Sequence, residues 1–345
     1  MQYFHAQPVQ NFKDKDGNVP EILMVDGNRT GGKTTAFSKM MVEEFLQQHK
    51  KFMLLYRWKS DLNTVSDAFF KDIKGLFFPE YEMTHQKMAD GRYYELYLNN
   101  VPCGYAVALS MSAKIKKFSH IFNDVENMFF DEYQDEQGEY LTDEVSRLMS
   151  IHTTVSRGRG QAVRFVPVYM CSNSITIFNP YYEALGISTA INDNTKVYRG
   201  EGFVLIRVTI KDVMAAQRAS GFNRAFAGSS YSKSAIDNAF MNDDKFNVVK
   251  RDTAAFRPLY VLKNKGELFT VFLTADGFHV RRGADTSFSL KFGVQESDKT
   301  DGFANLRNTS YFTKTRFFYS EGKITFEDIL SKNAIREALS VSTLT

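Results

Sequence analysis

Two short runs of residues carry the chemistry of this chain. Gly27-Asn28-Arg29-Thr30-Gly31-Gly32-Lys33-Thr34 fits the pattern G-x-x-x-x-G-K-[ST] at every position, and about a hundred residues later Asn127-Met128-Phe129-Phe130 leads into Asp131-Glu132. The first run suits a polyphosphate. Its glycines let backbone N–H groups turn inward, the helix that follows offers an electropositive N-terminal end, and a lysine reaches the terminal phosphates. In this reading Gly27 to Gly32 form the cradle, Lys33 meets the β- and γ-phosphates, Thr34 joins the shell of a magnesium ion, and Thr35 closes the binding run. Asp131, at a strand end, is the second protein ligand of Mg2+, and Glu132 is placed to polarise an attacking water as general base. The two runs together predict binding and hydrolysis of ATP.

The elements around these runs are those needed to hold them. Apolar Ile22-Leu23-Met24-Val25 precedes the loop and a helical pattern from Thr34 through Leu46 follows it, giving strand, loop and helix. Phe52 to Tyr56 reads as a second buried strand, and Ser66 to Phe78 as a helix. Tyr93 to Leu98 alternates at period two, Asn99-Asn100 supplies a turn, and Cys103 to Leu109 returns as the hairpin partner. Met128 to Phe130 is the short strand bearing the acids, with an amphipathic helix at Asp143 to His152 behind it. Val163 to Cys171 is a further strand ending in Ser172-Asn173-Ser174. Asn173 at its tip, with Ser172 beside it, is the candidate sensor of a γ-phosphate, and Phe203 to Val208 closes this part of the chain.

The fold class expected is α/β, a P-loop NTPase of the additional-strand, RecA-like type over residues 1–212. Residues 213–250, rich in Ala, Ser, Asn and Gly, read as a small helical connector. Over 251–345, strands at Tyr260 to Leu262, Leu268 to Thr274 and Phe278 to Arg281 are separated by the turns Asn264-Lys265-Gly266 and Ala275-Asp276-Gly277. A strand at Lys323 to Phe326 and a helix from Glu327 to Leu339 complete a β-rich α+β domain.

A chain of 345 residues has room for a large domain and a smaller one. Its two cysteines, Cys103 and Cys171, lack metal-type spacing and read as core residues of a reduced intracellular protein. Neither a membrane-length apolar stretch nor a signal peptide is visible, so the host cytoplasm is the expected location. The formal charge of +3 means that nucleic-acid contact must come from local clusters. Candidates are Lys114, Lys116 and Lys117; Arg157, Arg159 and Arg164; Lys211, Arg218 and Arg224; and Arg281 with Arg282.

In order and local wording the motifs resemble those of the DNA-packaging ATPases of small phi twenty-nine-like podoviruses, relatives of the large terminase subunits. The likeness lies in the phosphate loop with Arg29 at its third position, Leu55-Tyr56-Arg57-Trp58-Lys59-Ser60-Asp61-Leu62, Phe129-Phe130-Asp131-Glu132-Tyr133, Thr154-Val155-Ser156-Arg157-Gly158-Arg159, and Cys171-Ser172-Asn173-Ser174-Ile175 leading to Phe178-Asn179-Pro180-Tyr181-Tyr182. These runs lie between residues 22 and about 182; beyond residue 200 the similarity is one of length and strand order. The resemblance implies a homopentameric ring on the portal vertex of a procapsid that drives double-stranded DNA inward with ATP. It further implies that Arg29 reaches the γ-phosphate in cis, and that Arg157, in preference to Arg159, is an arginine finger acting on a neighbouring subunit. Of Lys114, Lys116 and Lys117, either Lys116 or Lys117 falls where the family carries a second trans-acting cation; facing the DNA channel is the competing role. Arg57 reads equally as a strand-end residue near the phosphates or as a structural one.

Large terminases carry a ribonuclease-H-like nuclease in the C-terminal position, whose two-metal chemistry needs converging carboxylates. Here the first C-terminal strand runs out in Leu262-Lys263-Asn264-Lys265-Gly266, Asp276 and Asp285 sit in turns, and Asp237, Asp243 and Asp244 lie in the connector. The domain is therefore expected to be a vestigial nuclease fold without nuclease activity that binds DNA, a structural prohead RNA or the capsid. Two other classes compete with the packaging motor: a hexameric helicase-like translocase and a structural nucleotide-binding assembly subunit.

Overall fold

The computed structural model describes residues 3–136, 139–158, 160, 163–177, 179–187, 190–191, 194–227, 236, 238, 249, 251–284, 288, 290–294, 296–299, 302–306, 309–320 and 323–340. Arg159, Asp237, Asp243, Asp244 and Asp285 lie outside them, as does most of the expected connector. The chain divides into two units, Met1–Asp243 and Asp244–Thr345.

In the first unit β1 (Ile22–Gly27) feeds α1 (Lys33–Gln48) and β2 (Lys51–Tyr56) feeds α2 (Lys59–Phe77). A meander of β3 (Met83–Met88), β4 (Tyr93–Leu98) and β5 (Val101–Ala108) leads through the short α3 (Ser112–Ile115) to β6 (Val125–Asp131). Then come α4 (Glu144–Val155), β7 (Val168–Asn173), α5 (Pro180–Ala184), β8 (Val197–Arg199), β9 (Phe203–Val208), α6 (Lys211–Ala219) and α7 (Gly221–Ala225). The strands form one sheet in the order β3-β4-β5-β2-β6-β7-β1-β9-β8. From β5 through β9 in that order all neighbours are parallel, and antiparallel pairs occur only toward the two edges.

This arrangement explains why the central strands read as unbroken apolar runs. Alternate residues point to opposite faces, and here both faces are covered. Leu23, Val25, Leu54 and Phe129 pack on one side against Phe37, Met40 and Phe45 of α1. Met24, Leu55, Phe130 and Met170 alternate with them and are equally buried. β7 stands between β1 and β6, so the tip of β1 and the tip of β6 flank that of β7, with Gly27 level with Asn173 and Asp131 level with Cys171.

Several boundaries differ from the expected ones. α2 starts at Lys59, well before Ser66, because the Asp61 carboxylate accepts the Trp58 N–H at 3.2 Å and caps the helix there. β7 starts at Val168, not Val163. The buried Arg164 side chain turns inward to donate to the carbonyls of Val125 and Val155 at 3.1 and 2.8 Å, leaving Val163 and Phe165 exposed. β3 was not anticipated, since Met-Thr-His-Gln-Lys-Met shows little apolar alternation. Cys103 and Cys171 are free and buried.

The second unit holds β10 (Arg257–Asn264), β11 (Glu267–Leu273), β12 (Phe278–Arg282), β13 (Lys291–Gly293), β14 (Ala304–Asn305), α8 (Ser310–Ser320), β15 (Ile324–Phe326) and α9 (Ile329–Ser340). β10, β11 and β12 form an antiparallel meander, while β13 joins β10, β14 joins β13 and β15 joins β12 in parallel. Tyr260, Phe269, Val271, Phe278 and Phe326 build its core with Ala334, Ile335 and Ala338 of α9. That helix begins at Ile329, where Asp328 accepts from the Ser331 N–H and hydroxyl at 2.8 and 2.7 Å. Among the described residues no helix is long and apolar enough to cross a membrane.

Candidate nucleotide site

The phosphate loop occupies the end of the sheet where β1 gives way to α1. Gly32 immediately precedes the helix at φ 83°, a left-handed conformation open to glycine. Gly27 is needed for space: a Cβ there would lie 2.8 Å from the carbonyl oxygen of Val208 on the neighbouring β9. Lys33 is buried, and its Nζ donates to the carbonyls of Gly27 and Asn28 at 3.1 and 2.9 Å and to Asn173 Oδ1 at 3.4 Å. Burial pulls its pKa below the usual lysine range. The loop lysine and the expected sensor are thus in contact, although 140 residues separate them in sequence.

Asp131 ends β6 beside this pair. It accepts from Cys171 Sγ at 2.9 Å and from the Thr34 side chain, and burial raises its pKa. Glu132 lies just beyond the strand. It has φ 53°, so the chain leaves the sheet there in a left-handed turn. Its N–H donates to Asp131 Oδ1 at 3.0 Å. Burial and the neighbouring Asp131 charge raise the Glu132 pKa, while Arg29 and Arg57 oppose the rise. A cavity of about 1020 Å3 is lined by the loop from Arg29 to Thr35 together with Asp131, Glu132, Ser172 and Asn173.

A family model of podovirus DNA encapsidation proteins (Gp16) matches residues 17–342. The chain belongs to that family. The match runs well past residue 200, where the sequence motifs alone had offered only length and strand order. The DNA packaging protein of Bacillus phage phi29 is 24% identical over 325 residues, covering 92% of each chain. Among solved structures, a chain of the bacteriophage Phi-29 viral genome packaging motor assembly aligns with a TM-score of 0.62 at 19% identity, over 98% of this chain and 100% of that one. The Phi-28 gp11 DNA packaging motor aligns at 0.60 with 15% identity, over 99% of each. At those identities the structural likeness concerns the fold.

The other expected residues fall in different places. Arg29 lines the cavity and is ion-paired with Glu136, four residues beyond the acid that ends the turn's first step. Ser172 lines it too, but its hydroxyl is engaged with the backbone of Gln134. Arg157 is exposed just beyond α4, and Lys114, Lys116 and Lys117 are exposed in and after α3, which packs on α4. None of these four cations lines the cavity.

Three groups at the site had no voice in the motif reading. The first is Asp26, fully buried at the end of β1, which accepts from the Tyr133 hydroxyl at 2.6 Å, from Gln134 Nε2 at 2.8 Å and from the Tyr182 hydroxyl. Burial pushes its carboxyl up to about 6 against the two tyrosine hydrogen bonds and the Arg207 and Lys33 charges. The second is the N-terminal segment. Phe4 N–H donates to Gly31 O at 3.0 Å, the Tyr3 ring lies beside Gly32, and Tyr3, Phe4, His5 and Gln7 line the cavity. Its signal was available in the clustering of aromatic and polar side chains in Tyr3-Phe4-His5-Ala6-Gln7. The third is Gln217 of α6, whose Nε2 donates to Thr30 Oγ1 at 2.8 Å.

Proposed function

We propose that this chain is the ATPase of a viral DNA-packaging motor, which couples ATP hydrolysis to translocation of double-stranded DNA through the portal into a procapsid. The observation that carries this reading is the convergence of Lys33, Thr34, Asp131, Glu132 and Asn173 on one cavity, in a member of the podovirus DNA encapsidation family. The position of β7 between β1 and β6 supports the additional-strand class of P-loop ATPase.

Backbone N–H groups of the loop and Lys33 bind the β- and γ-phosphates, and the rings of Tyr3 and Phe4 offer an apolar surface to the base. Thr34 and Asp131 fit a magnesium ion, since both present oxygen donors and their side chains already meet. When bound, that ion neutralises phosphate charge. Glu132, made more basic by burial and by Asp131, accepts the proton of the attacking water. Asn173 senses the γ-phosphate through its place beside Lys33, and Arg29 reaches the same phosphate in cis. Arg157, or Arg159 in its stead, acts on the neighbouring subunit of a homopentameric ring. Lys114, Lys116 and Lys117 act in trans or face the DNA.

For residues 251–345 the meander of β10 to β12 with β13 parallel to β10 supports a ribonuclease-H-like fold. Its strand tips carry Lys263 and Asn264, which fits a binding domain for DNA, a prohead RNA or the capsid better than a nuclease. The test is ATP hydrolysis by the full chain with procapsids and no nucleic acid, single-stranded DNA or double-stranded DNA, read together with protection of duplex from nuclease. Stimulation by duplex alone and ATP-dependent protection are expected. Turnover indifferent to duplex, with no protection, would overturn the motor reading.

A further inference from the structure

The turn that carries Glu132 is held from outside the motif. Arg57, the first residue beyond β2, is only 7% exposed, and its guanidinium is engaged on several sides. Nε donates to both oxygens of Glu144 at 3.1 and 2.9 Å. One terminal nitrogen donates to the carbonyls of Glu132 and Tyr133 at 3.3 and 2.8 Å, and the other is 3.8 Å from Asp135 Oδ2. The plane lies over the rings of Phe130 and Tyr140. Glu144 is itself fully buried and also accepts from the Leu141 N–H at 2.9 Å and the Tyr181 hydroxyl at 2.7 Å.

A left-handed conformation at a glutamate is uncommon and persists only where its surroundings impose it. Here the Asp131 carboxylate holds the N–H of Glu132 and Arg57 holds its carbonyl, so both peptide groups flanking that residue are fixed. Arg57 has a carboxylate anchor at its back, because Glu144 neutralises a cation that burial would otherwise make costly.

We propose that Arg57 is a positioning residue for the hydrolytic step: anchored on Glu144, it holds the carbonyls of Glu132 and Tyr133 and so fixes the left-handed turn that presents the Glu132 carboxylate to the nucleotide. It acts through Glu132 and contributes nothing of its own to nucleotide affinity. A lysine at this position keeps the charge but cannot span Glu144 and two carbonyls at once.

This inference rests on the reading of Glu132 as general base, and its test separates the two. Arg57→Lys and Arg57→Met are made in the full-length chain, and again in a Glu132→Gln background. Steady-state and single-turnover ATP hydrolysis, affinity for a fluorescent ADP analogue and melting temperature are measured. The expected result is a fall in kcat of at least tenfold with ADP affinity within twofold of wild type, and less than a twofold further change when Glu132 is already glutamine. Equal proportional losses in both backgrounds, or weakened ADP binding that accounts for the lower rate, would overturn it. So would loss of the native fold in both variants, which would make Arg57 a structural residue. A wild-type chain that binds ADP but shows no hydrolysis in any assembly state would overturn the base assignment itself, and this proposal with it.

Discussion

Replacing Asp26 by asparagine should stabilise the first unit at neutral pH and remove part of its pH dependence. Asp26 is fully buried, and burial lifts its carboxyl from the usual 3.8 to about 6, with the Tyr133 and Tyr182 hydroxyls and Arg207 opposing the rise. Between those two values the folded chain holds a proton that the unfolded chain has released. Unfolding free energy therefore falls as pH climbs through that window and levels off above it. At about 1.4 kcal/mol per pH unit, the cost present at pH 7 is about 3 kcal/mol. Asparagine does not ionise and escapes that cost, and its amide oxygen can replace the carboxylate oxygen that accepts from Gln134 Nε2 and Tyr182, but its amide nitrogen then faces the Tyr133 hydroxyl, which donates to the present carboxylate at 2.6 Å. Gln134 fixes that orientation, because its Oε1 already accepts the N–H groups of Ile175 and Thr176 at 3.1 and 3.0 Å and its Nε2 therefore stays a donor toward residue 26. The lost hydrogen bond costs about 1–2 kcal/mol. The net expectation is stabilisation by about 1–2 kcal/mol at pH 7.5, shrinking as pH falls and reversing sign at about pH 5. Trp58, the single tryptophan of the chain, lies in the first unit, so its fluorescence during urea unfolding reports that unit. A difference between variant and wild type that stays constant from pH 4.5 to 8 would refute the argument.

Further outcomes follow from the same geometry. Glu132→Gln should retain ATP affinity while hydrolysis falls by about 100-fold or more, checked by equilibrium binding alongside turnover. Arg157→Ala, mixed in equal amounts with wild type, should depress the rate of the mixture below the mean of the two proteins; normal hydrolysis by the variant in its assembled ring would remove the finger assignment. Gly27→Ala should cost about 1–3 kcal/mol and abolish nucleotide binding. Its methyl group would meet the backbone oxygen of Val208 and the stem of Lys33, and a melting temperature equal to wild type would contradict this.

Much of the sheet was legible because it is buried on both sides. Strands such as Phe52-Met53-Leu54-Leu55 have no polar face to confuse the pattern, and the hairpin of β4 and β5 is marked by Asn99-Asn100 between two alternating runs. What failed was at the periphery. Val163 and Phe165 have strand-forming side chains but are exposed, and the backbone there follows Arg164 inward to the carbonyls of Val125 and Val155 instead of the sheet. β3 pairs only with β4 along a polar edge, where hydrogen bonding without burial leaves no periodic trace.

The site divides along the same line between local and long-range causes. Lys33, Thr34 and Asp131 could be read because a phosphate loop and an acid at a strand end are each specified by neighbours in sequence. Asp26 could not. As the last polar residue of an apolar strand it looks no different from Asp131, yet its side chain meets Tyr182, carried there by a helix that starts at Pro180 behind an Asn179 cap. Nothing in Phe129-Phe130-Asp131-Glu132-Tyr133 announces a left-handed glutamate either. That conformation coincides with bonds from Arg57, 75 residues earlier, backed by Glu144 at the start of α4. The motif thus names the acid that meets the nucleotide, while the direction in which it points is a property of an arginine and a glutamate that no phosphate-binding pattern includes. A change at either should therefore alter turnover without altering a single residue of the motif.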